Sequence, residues 1–239
     1  MKVRVAAAQI RVTSDVEQNL SRILTAVKDA ASRKARFVCL PEACLVVDDD
    51  NVPSIDAELK KIRRVAKERA IHVIFGSYAK INGHVRNQVF VISADGSIVY
   101  RYSKRNVFMK ESALVKPGRS NKVLSLDGVV FAVINCWDYA FPEQFRVLAK
   151  KGAKIIFCPA YLLSHPRTKN VLVHVPQVRA FDTMAYFVMA DAVSEETFCQ
   201  TTMCHPLRRL ARVSGREGLL VQDLDLSEIT ALRKEFPNF

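Results

Sequence analysis

Two stretches of this chain, Val129 to Ile134 and Ile155 to Phe157, are apolar almost throughout, a pattern expected of strands covered on both faces of their sheet. Other segments carry apolar residues at helical spacing instead. In Glu58 to Arg69 these are Leu59, Ile62, Val65 and Ala66, and in Val16 to Arg33 they are Leu20, Ile23, Leu24 and Val27. Ser14 or Asp15 is placed to cap the second of these helices, and Glu17 adds a carboxylate to its first turn. Strands that need cover alternate with helices that supply it, so the chain is read as α/β.

The pattern predicts strands at Val3 to Ile10, Phe37 to Leu40, His72 to Tyr78, Gln88 to Ser93, Ile98 to Tyr102, Val129 to Asn135, Lys154 to Pro159, Ala185 to Ala190, Phe198 to Met203 and Gly218 to Leu224. Helices are predicted at Val16 to Arg33, Ile55 to Ala70, Pro142 to Lys151 and Val171 to Met184. Asn82-Gly83 and Asp95-Gly96 are hairpin signals, so antiparallel pairs are expected beside parallel βαβ units.

The 239 residues, 49% of them hydrophobic, suffice for a substantial core, and no linker or repeat interrupts them; one domain, 1–239, is expected. The 8 glycines are about half of ordinary usage, which predicts compact loops and few positions at positive φ. The start, Met1 to Ile10, is too short and too alternating for a secretory leader, and no apolar run approaches the ~20 residues of a membrane span. Six cysteines, mostly within apolar runs, read as reduced thiols, so a cytoplasmic location without membrane attachment is expected.

A net charge of +12 would suit an acidic partner. The cations of Glu58 to Arg69, however, fall on the solvated side of a helix, and Leu207 to Arg212 is short and without aromatic residues for stacking. No nucleic-acid partner is expected.

Three reactive groups stand just past β-runs: Glu42 after Arg36 to Pro41, Lys104 after Ser97 to Ser103, and Cys136 after Val129 to Asn135. The turn following Cys136, with Pro142 opening a helix, offers N–H groups and a positive helix end, which favour a thiolate. Apolar neighbours on both sides of Glu42 are expected to raise its pKa into the range useful for proton transfer. A second thiol chemistry would pair Cys136 with His165 or His174, although the five histidines form no protease motif. The Cys39/Cys44 and Cys199/Cys204 pairs, with His205 adjacent, have a spacing at the edge of zinc patterns, and no metal is expected.

These segments, LPEACL, YSKRNVF and NCWDYAFPE, resemble the Glu, Lys, Cys elements of the nitrilase (carbon-nitrogen hydrolase) superfamily, in its nitrilase-like amidase branch. The resemblance is ordered along the chain. It begins with the Val3 to Ile10 strand and Pro41-Glu42, continues through Tyr102-Ser-Lys104, Glu111 and Lys116-Pro-Gly118, and runs on to Cys136, Asp138, Phe141-Pro-Glu143, Cys158-Pro-Ala160 and Arg179-Ala180.

That resemblance implies a four-layer α-β-β-α sandwich, a catalytic set of Glu42, Lys104, Cys136 and Glu111, and the backbone N–H of Trp137 as an oxyanion donor. It implies hydrolysis of a non-peptide C–N bond in a small amide or carbamoyl compound through a Cys thioester, with release of ammonia or an amine and no cofactor. A nitrile substrate is the alternative within the family, and an idle binding or scaffold protein that keeps the fold is the alternative outside it. A homodimer or higher homo-oligomer is implied through the helices Pro142 to Lys151 and Val171 to Met184.

The chain departs from common nitrilase-like amidases at Tyr139-Ala140, where they carry Arg before Phe-Pro-Glu, and at Arg179-Ala-Phe-Asp-Thr183 and Cys199-Gln-Thr-Thr202. Leu45 to Asp50 lacks the usual glycine and aromatic residues, consistent with a trimmed mouth that Tyr139, Tyr161 and His165 are candidates to line.

Overall fold

The computed structural model describes residues 1–119 and 121–237. Its first half contains β1 (Lys2–Gln9), α1 (Val16–Ser32), β2 (Phe37–Cys39), α2 (Asp56–Arg69), β3 (His72–Ile81), β4 (His84–Ile92) and β5 (Ile98–Ser103). The second half contains β6 (Leu124–Leu126), β7 (Val129–Val133), α3 (Pro142–Lys150), β8 (Ile155–Ala160), α4 (Lys169–Leu172) and α5 (Val175–Thr183), then β9 (Tyr186–Asp191), β10 (Gln200–His205), β11 (Arg208–Ser214), β12 (Gly218–Asp225) and α6 (Leu226–Glu235).

The strands form two six-stranded sheets, in the orders β12-β1-β2-β3-β4-β5 and β11-β10-β9-β8-β7-β6. Each has a parallel centre, β1/β2/β3 and β7/β8/β9, extended by antiparallel strands on both sides.

Strand alternation separates the layers. Val3, Val5, Ala7, Phe37, Cys39, Ile74, Val89 and Val91 turn inward to meet Phe131, Val133, Ile155, Phe157, Val188 and Met203 of the second sheet. Their neighbours Ala6, Ala8, Val38, Leu40, Val73 and Phe75 turn outward under Leu20, Ile23 and Val27 of α1 and Leu59, Ile62 and Val65 of α2. Ala132, Ile156, Cys158, Phe187 and Met189 do the same beneath Phe145 and Leu148 of α3 and Ala180 of α5. Each large aliphatic side chain so buried contributes roughly 1.5–3 kcal/mol. Four layers result, helices outside and sheets face to face, as the resemblance implies.

Asp15 caps α1 by accepting from Gln18 N–H, and the Asn82-Gly83 turn joins Ile81 to its partner His84. The expected helix at Val171 to Met184 is instead two, α4 and α5, broken ahead of Pro176, which has no N–H to continue the ladder. The helix α6 was not anticipated, although Asp225 caps it and Leu226, Ile229 and Leu232 bury one face. Scarcity of glycine does not keep φ negative, since Ala43, Ala70, Cys136 and Met184 are among the non-glycine residues at positive φ.

Candidate active site

Three adjacent positions across the first sheet lay down half of the site. Tyr78 in β3 stands opposite Asn87 in β4, and the Asn87 carbonyl accepts from Lys104 N–H, just past β5, at 2.8 Å. Their side chains converge on two carboxylates. Lys104 Nζ donates to Glu42 Oε1 at 2.8 Å and to Glu111 Oε2 at 2.7 Å. Asn87 Nδ2 donates to the same pair, to Glu42 Oε1 at 2.8 Å and Glu111 Oε1 at 2.6 Å. Tyr78 OH and Phe108 N–H complete the Glu111 shell, each at 2.7 Å.

Glu42 leaves β2 through Pro41 and is held by main chain on both sides. Its own N–H donates to Ala160 O at 3.3 Å, while Tyr161 N–H donates to its Oε2 at 3.0 Å. Glycine is needed beside it for close approach, because a Cβ on Gly76 would sit 2.5 Å from Glu42 Cα. Gly118 serves Lys104 in the same way. It donates its N–H to Lys104 O at 2.8 Å, and a Cβ there would meet Ser103 O at 2.1 Å.

Cys136 comes from the second sheet. After β7 the chain turns through a short 3-10 helix, Cys136–Ala140, that places Cys136 at φ +43°. For a non-glycine residue that conformation costs on the order of 1–3 kcal/mol and persists only where neighbours enforce it. The enforcing group is Asp138. Its carboxylate accepts from Tyr102 OH at 2.6 Å, from Asn106 N and Nδ2 at 2.9 Å each, and from Asn135 N at 3.2 Å, tying the Cys136 turn to the segment that carries Lys104. Arg179 Nε holds the far end of the turn through Tyr139 O at 2.8 Å. Asn135 Nδ2 donates to Asn87 Oδ1 at 2.7 Å, so the two halves of the site share one amide relay.

Glu42, Lys104 and Cys136 are all buried, and Cys136 faces both the carboxylate and the amine. Burial raises the Glu42 carboxyl above the ordinary range, with the Glu111 charge adding to the effect against the pull of Lys104. Burial opposes charge on Glu111 too, but Lys104, Phe108 N–H and Tyr78 OH hold its carboxyl below the usual range. Burial likewise works against the Lys104 charge, yet Glu42, Cys136 and Glu111 outweigh it and keep the ammonium. The Cys136 thiol is pushed well up, by burial first and then by Glu42. Burial and the Glu42 carboxylate thus oppose the thiolate that the turn and helix end favour, and the thiol faces that carboxylate.

The Carbon-nitrogen hydrolase family profile matches residues 4–234. The chain belongs to the carbon-nitrogen hydrolase family. It is similar to omega-amidase NIT2 of Mus musculus, 26% identical over 98% of this chain and 92% of that protein. It is also similar to the deaminated glutathione amidase of Escherichia coli O157:H7, at 26% over 98% and 94%. In fold it is similar to Saccharomyces cerevisiae Nit3, a member of branch 10 of the nitrilase superfamily, with TM-score 0.89 and 20% identity over 99% of this chain and 94% of that one. An amidase from Nesterenkonia sp. superposes with TM-score 0.85 and 21% identity over 99% and 95%.

Within this carbon-nitrogen hydrolase, the other sequence candidates fall apart. His165 is exposed, its Nδ1 accepting from Arg167 N–H, and His174 precedes α5; neither has a hydrogen bond to the Cys136 sulfur among the described residues. Cys39 and Cys44 are buried in the first sheet's packing, whereas Cys199 lies between Ser194 and Thr197. Tyr139 is wholly buried and does not line a mouth, while Tyr161 is half-buried and reaches the site through its backbone.

Sequence reasoning missed Tyr78, Asn87 and Asn135. The one available signal was Asn87 itself, a turn-former inside a strand, just ahead of the apolar run Val89 to Ile92.

Proposed function

We propose that this carbon-nitrogen hydrolase cleaves a small amide or carbamoyl compound, with Cys136 as nucleophile, Glu42 as general base and acid, Lys104 and Trp137 N–H as oxyanion donors, and Glu111 positioning Lys104 and the substrate. The observation that carries this reading is the convergence of Glu42 and Lys104 on the buried thiol, with Glu111 paired to Lys104 behind them.

In the first step the thiol proton passes to Glu42 while sulfur bonds to the acyl carbon, and the electron pair displaced from C=O becomes an oxyanion facing the Lys104 ammonium. Glu42 returns its proton to the departing nitrogen, the C–N bond breaks, and ammonia or an amine leaves a thioester on Cys136. Water then gives a proton to Glu42 and its oxygen to the acyl carbon, and collapse of that adduct restores the thiol and releases the acid. Neutral thiol and ionised Glu42 form the right starting pair, because an unpaired thiolate in this buried site would be costly. Relatives named as omega-amidase and deaminated glutathione amidase support an amide over a nitrile.

The test is a panel of matched amides, N-carbamoyl compounds and nitriles offered to the wild type and to Cys136→Ala, with ammonia and the carboxylic acid both quantified. Turnover of amide or carbamoyl members by the wild type alone is the expected result. Turnover confined to nitriles would move the enzyme to the nitrilase alternative, and equal turnover by Cys136→Ala would remove the thiol mechanism.

The same reading extends to assembly and location. Val147 on α3 and Val178 and Phe181 on α5 are exposed apolar residues on two helices packed side by side, which supports a homodimer through that face. Six unpaired cysteines suit a reducing compartment such as the cytoplasm. No helix among the described residues is long and apolar enough to cross a membrane.

A further inference from the structure

We propose that Asp191 is a positioning residue for the reaction, which in its ionised form clamps the Tyr161–Leu162 peptide so that Tyr161 N–H is aimed at the Glu42 carboxylate. The inference rests on the reading of Glu42 as base and Cys136 as nucleophile.

Asp191 closes β9, opposite Ala160 of β8, and is fully buried. Its Oδ1 accepts from Leu162 N–H and Ala192 N–H at 3.0 Å each, its Oδ2 from Gln200 N–H at 2.9 Å, and its own N–H donates to Thr201 Oγ1 at 2.9 Å. The Leu162 contact connects it to the chemistry. The amide one residue earlier, Tyr161 N–H, donates to Glu42 Oε2 at 3.0 Å and also faces the Cys136 sulfur. Two consecutive amides are thus divided between two buried carboxylates, and fixing the second fixes the direction of the first.

The ionised form is the one the three donors fit. A carboxylic acid there would set an O–H against one of the N–H donors, breaking the contact of Oδ2 with Gln200 or of Oδ1 with Leu162 and Ala192, and so loosen the clamp. The titratable groups facing Asp191 are Glu42 beyond β2, Tyr139 in the Cys136–Ala140 turn and Tyr161 beyond β8; Thr201 of β10 is neutral. Burial pushes Asp191 up to about 7 against the pull of its three N–H donors, with the Glu42 charge adding to the rise. Its protonation therefore falls in a pH range where the enzyme can be assayed, and it competes with that of Glu42.

Iodoacetamide tests this without knowledge of the natural substrate. Alkylation of Cys136 is followed by peptide mass spectrometry from pH 5 to 9 in the wild type, Asp191→Asn and Glu42→Gln. In the wild type, the rate is expected to fall toward acid through a limb near pH 7 that Asp191 sets. In Asp191→Asn that limb should be gone and the rate at pH 8 about tenfold lower. A wild-type profile without a limb near pH 7 overturns the inference even if no Asp191 variant folds, and so does an unchanged profile in a folded Asp191→Asn. Should Glu42→Gln leave the rate unchanged, the reading of Glu42 as base is what fails, and the role of Asp191 fails with it.

Discussion

Gly76 lies so close to Glu42 that a single added methyl group would collide with its main chain, 2.5 Å from Cα. Gly76 N–H also donates to Pro41 O, and Gly76 O accepts from Cys44 N–H, both at 2.9 Å, so β3 and the Glu42 turn move as one piece. Gly76→Ala must displace Glu42, the base of the proposed mechanism, and about 1 Å of misplacement can cost on the order of a hundredfold in rate. The expected outcome is that loss in kcat with native circular dichroism. Wild-type kcat in a folded Gly76→Ala would show that the position of Glu42 is less demanding than this contact implies.

Asn87 gives each of the two carboxylates a side-chain amide donor beside the Lys104 ammonium. Asn87→Ala removes donors that favour the charged form of Glu42, so the Glu42 pKa rises further. The acid limb of kcat/KM should then move to higher pH, and kcat should drop by roughly tenfold to a hundredfold, or about 1.4–2.7 kcal/mol. Asn135→Ala leaves the Asn87 amide in place but without its anchor, and the same shift is expected in smaller degree. An acid limb that does not move in Asn87→Ala would confine that side chain to packing.

Glu42 contributes an acid limb to turnover besides the one expected from Asp191. Burial raises the Glu42 pKa, and in the proposed mechanism the ionised form accepts the thiol proton, so activity is expected above that raised value and lost as pH falls through it. The acid limb is expected above the ordinary glutamate value of about 4.3. The Cys136 thiol, itself pushed up, gives no limb of its own near neutrality. In Glu42→Gln, alkylation of Cys136 should need distinctly more alkaline solution than in the wild type. Equal alkylation profiles would mean that another group takes the proton.

Most of the strand framework was legible because alternation and wholly apolar runs are local signals: Val3, Val5 and Ala7 face one way and Ala6 and Ala8 the other, as the pattern requires. Glu42, Lys104, Cys136 and Glu111 were named because family motifs mark them. Tyr78, Asn87, Asn135 and Asp191 went unread for a physical reason. Each is an ordinary polar residue whose meaning depends on what the opposite sheet or the next loop brings to it, and no spacing along the chain encodes that meeting. The forces acting on the Cys136 thiol were legible only in part, on similar grounds. A helix end and a turn are visible in sequence, but the burial and the neighbouring carboxylate that outweigh them are tertiary.

Lys104 offers the most direct measure of how the site is held together. It is the cation paired with both Glu42 and Glu111, and all three are largely buried. Lys104→Met, similar in length, leaves two carboxylates facing each other without that charge, and breaking a buried ion pair in this way costs about 3–5 kcal/mol. The two carboxylates then bind a proton more tightly in the folded chain than in the unfolded one. A raised folded pKa favours the native state below the unfolded value, near 4.3, and the advantage fades as pH rises through the folded value. The deficit of Lys104→Met relative to the wild type should therefore be larger at pH 8 than at pH 5, by urea or thermal unfolding, and activity should be lost at both. A deficit independent of pH would show that the cost is one of packing and that the two carboxylates do not depend on the lysine for their charge.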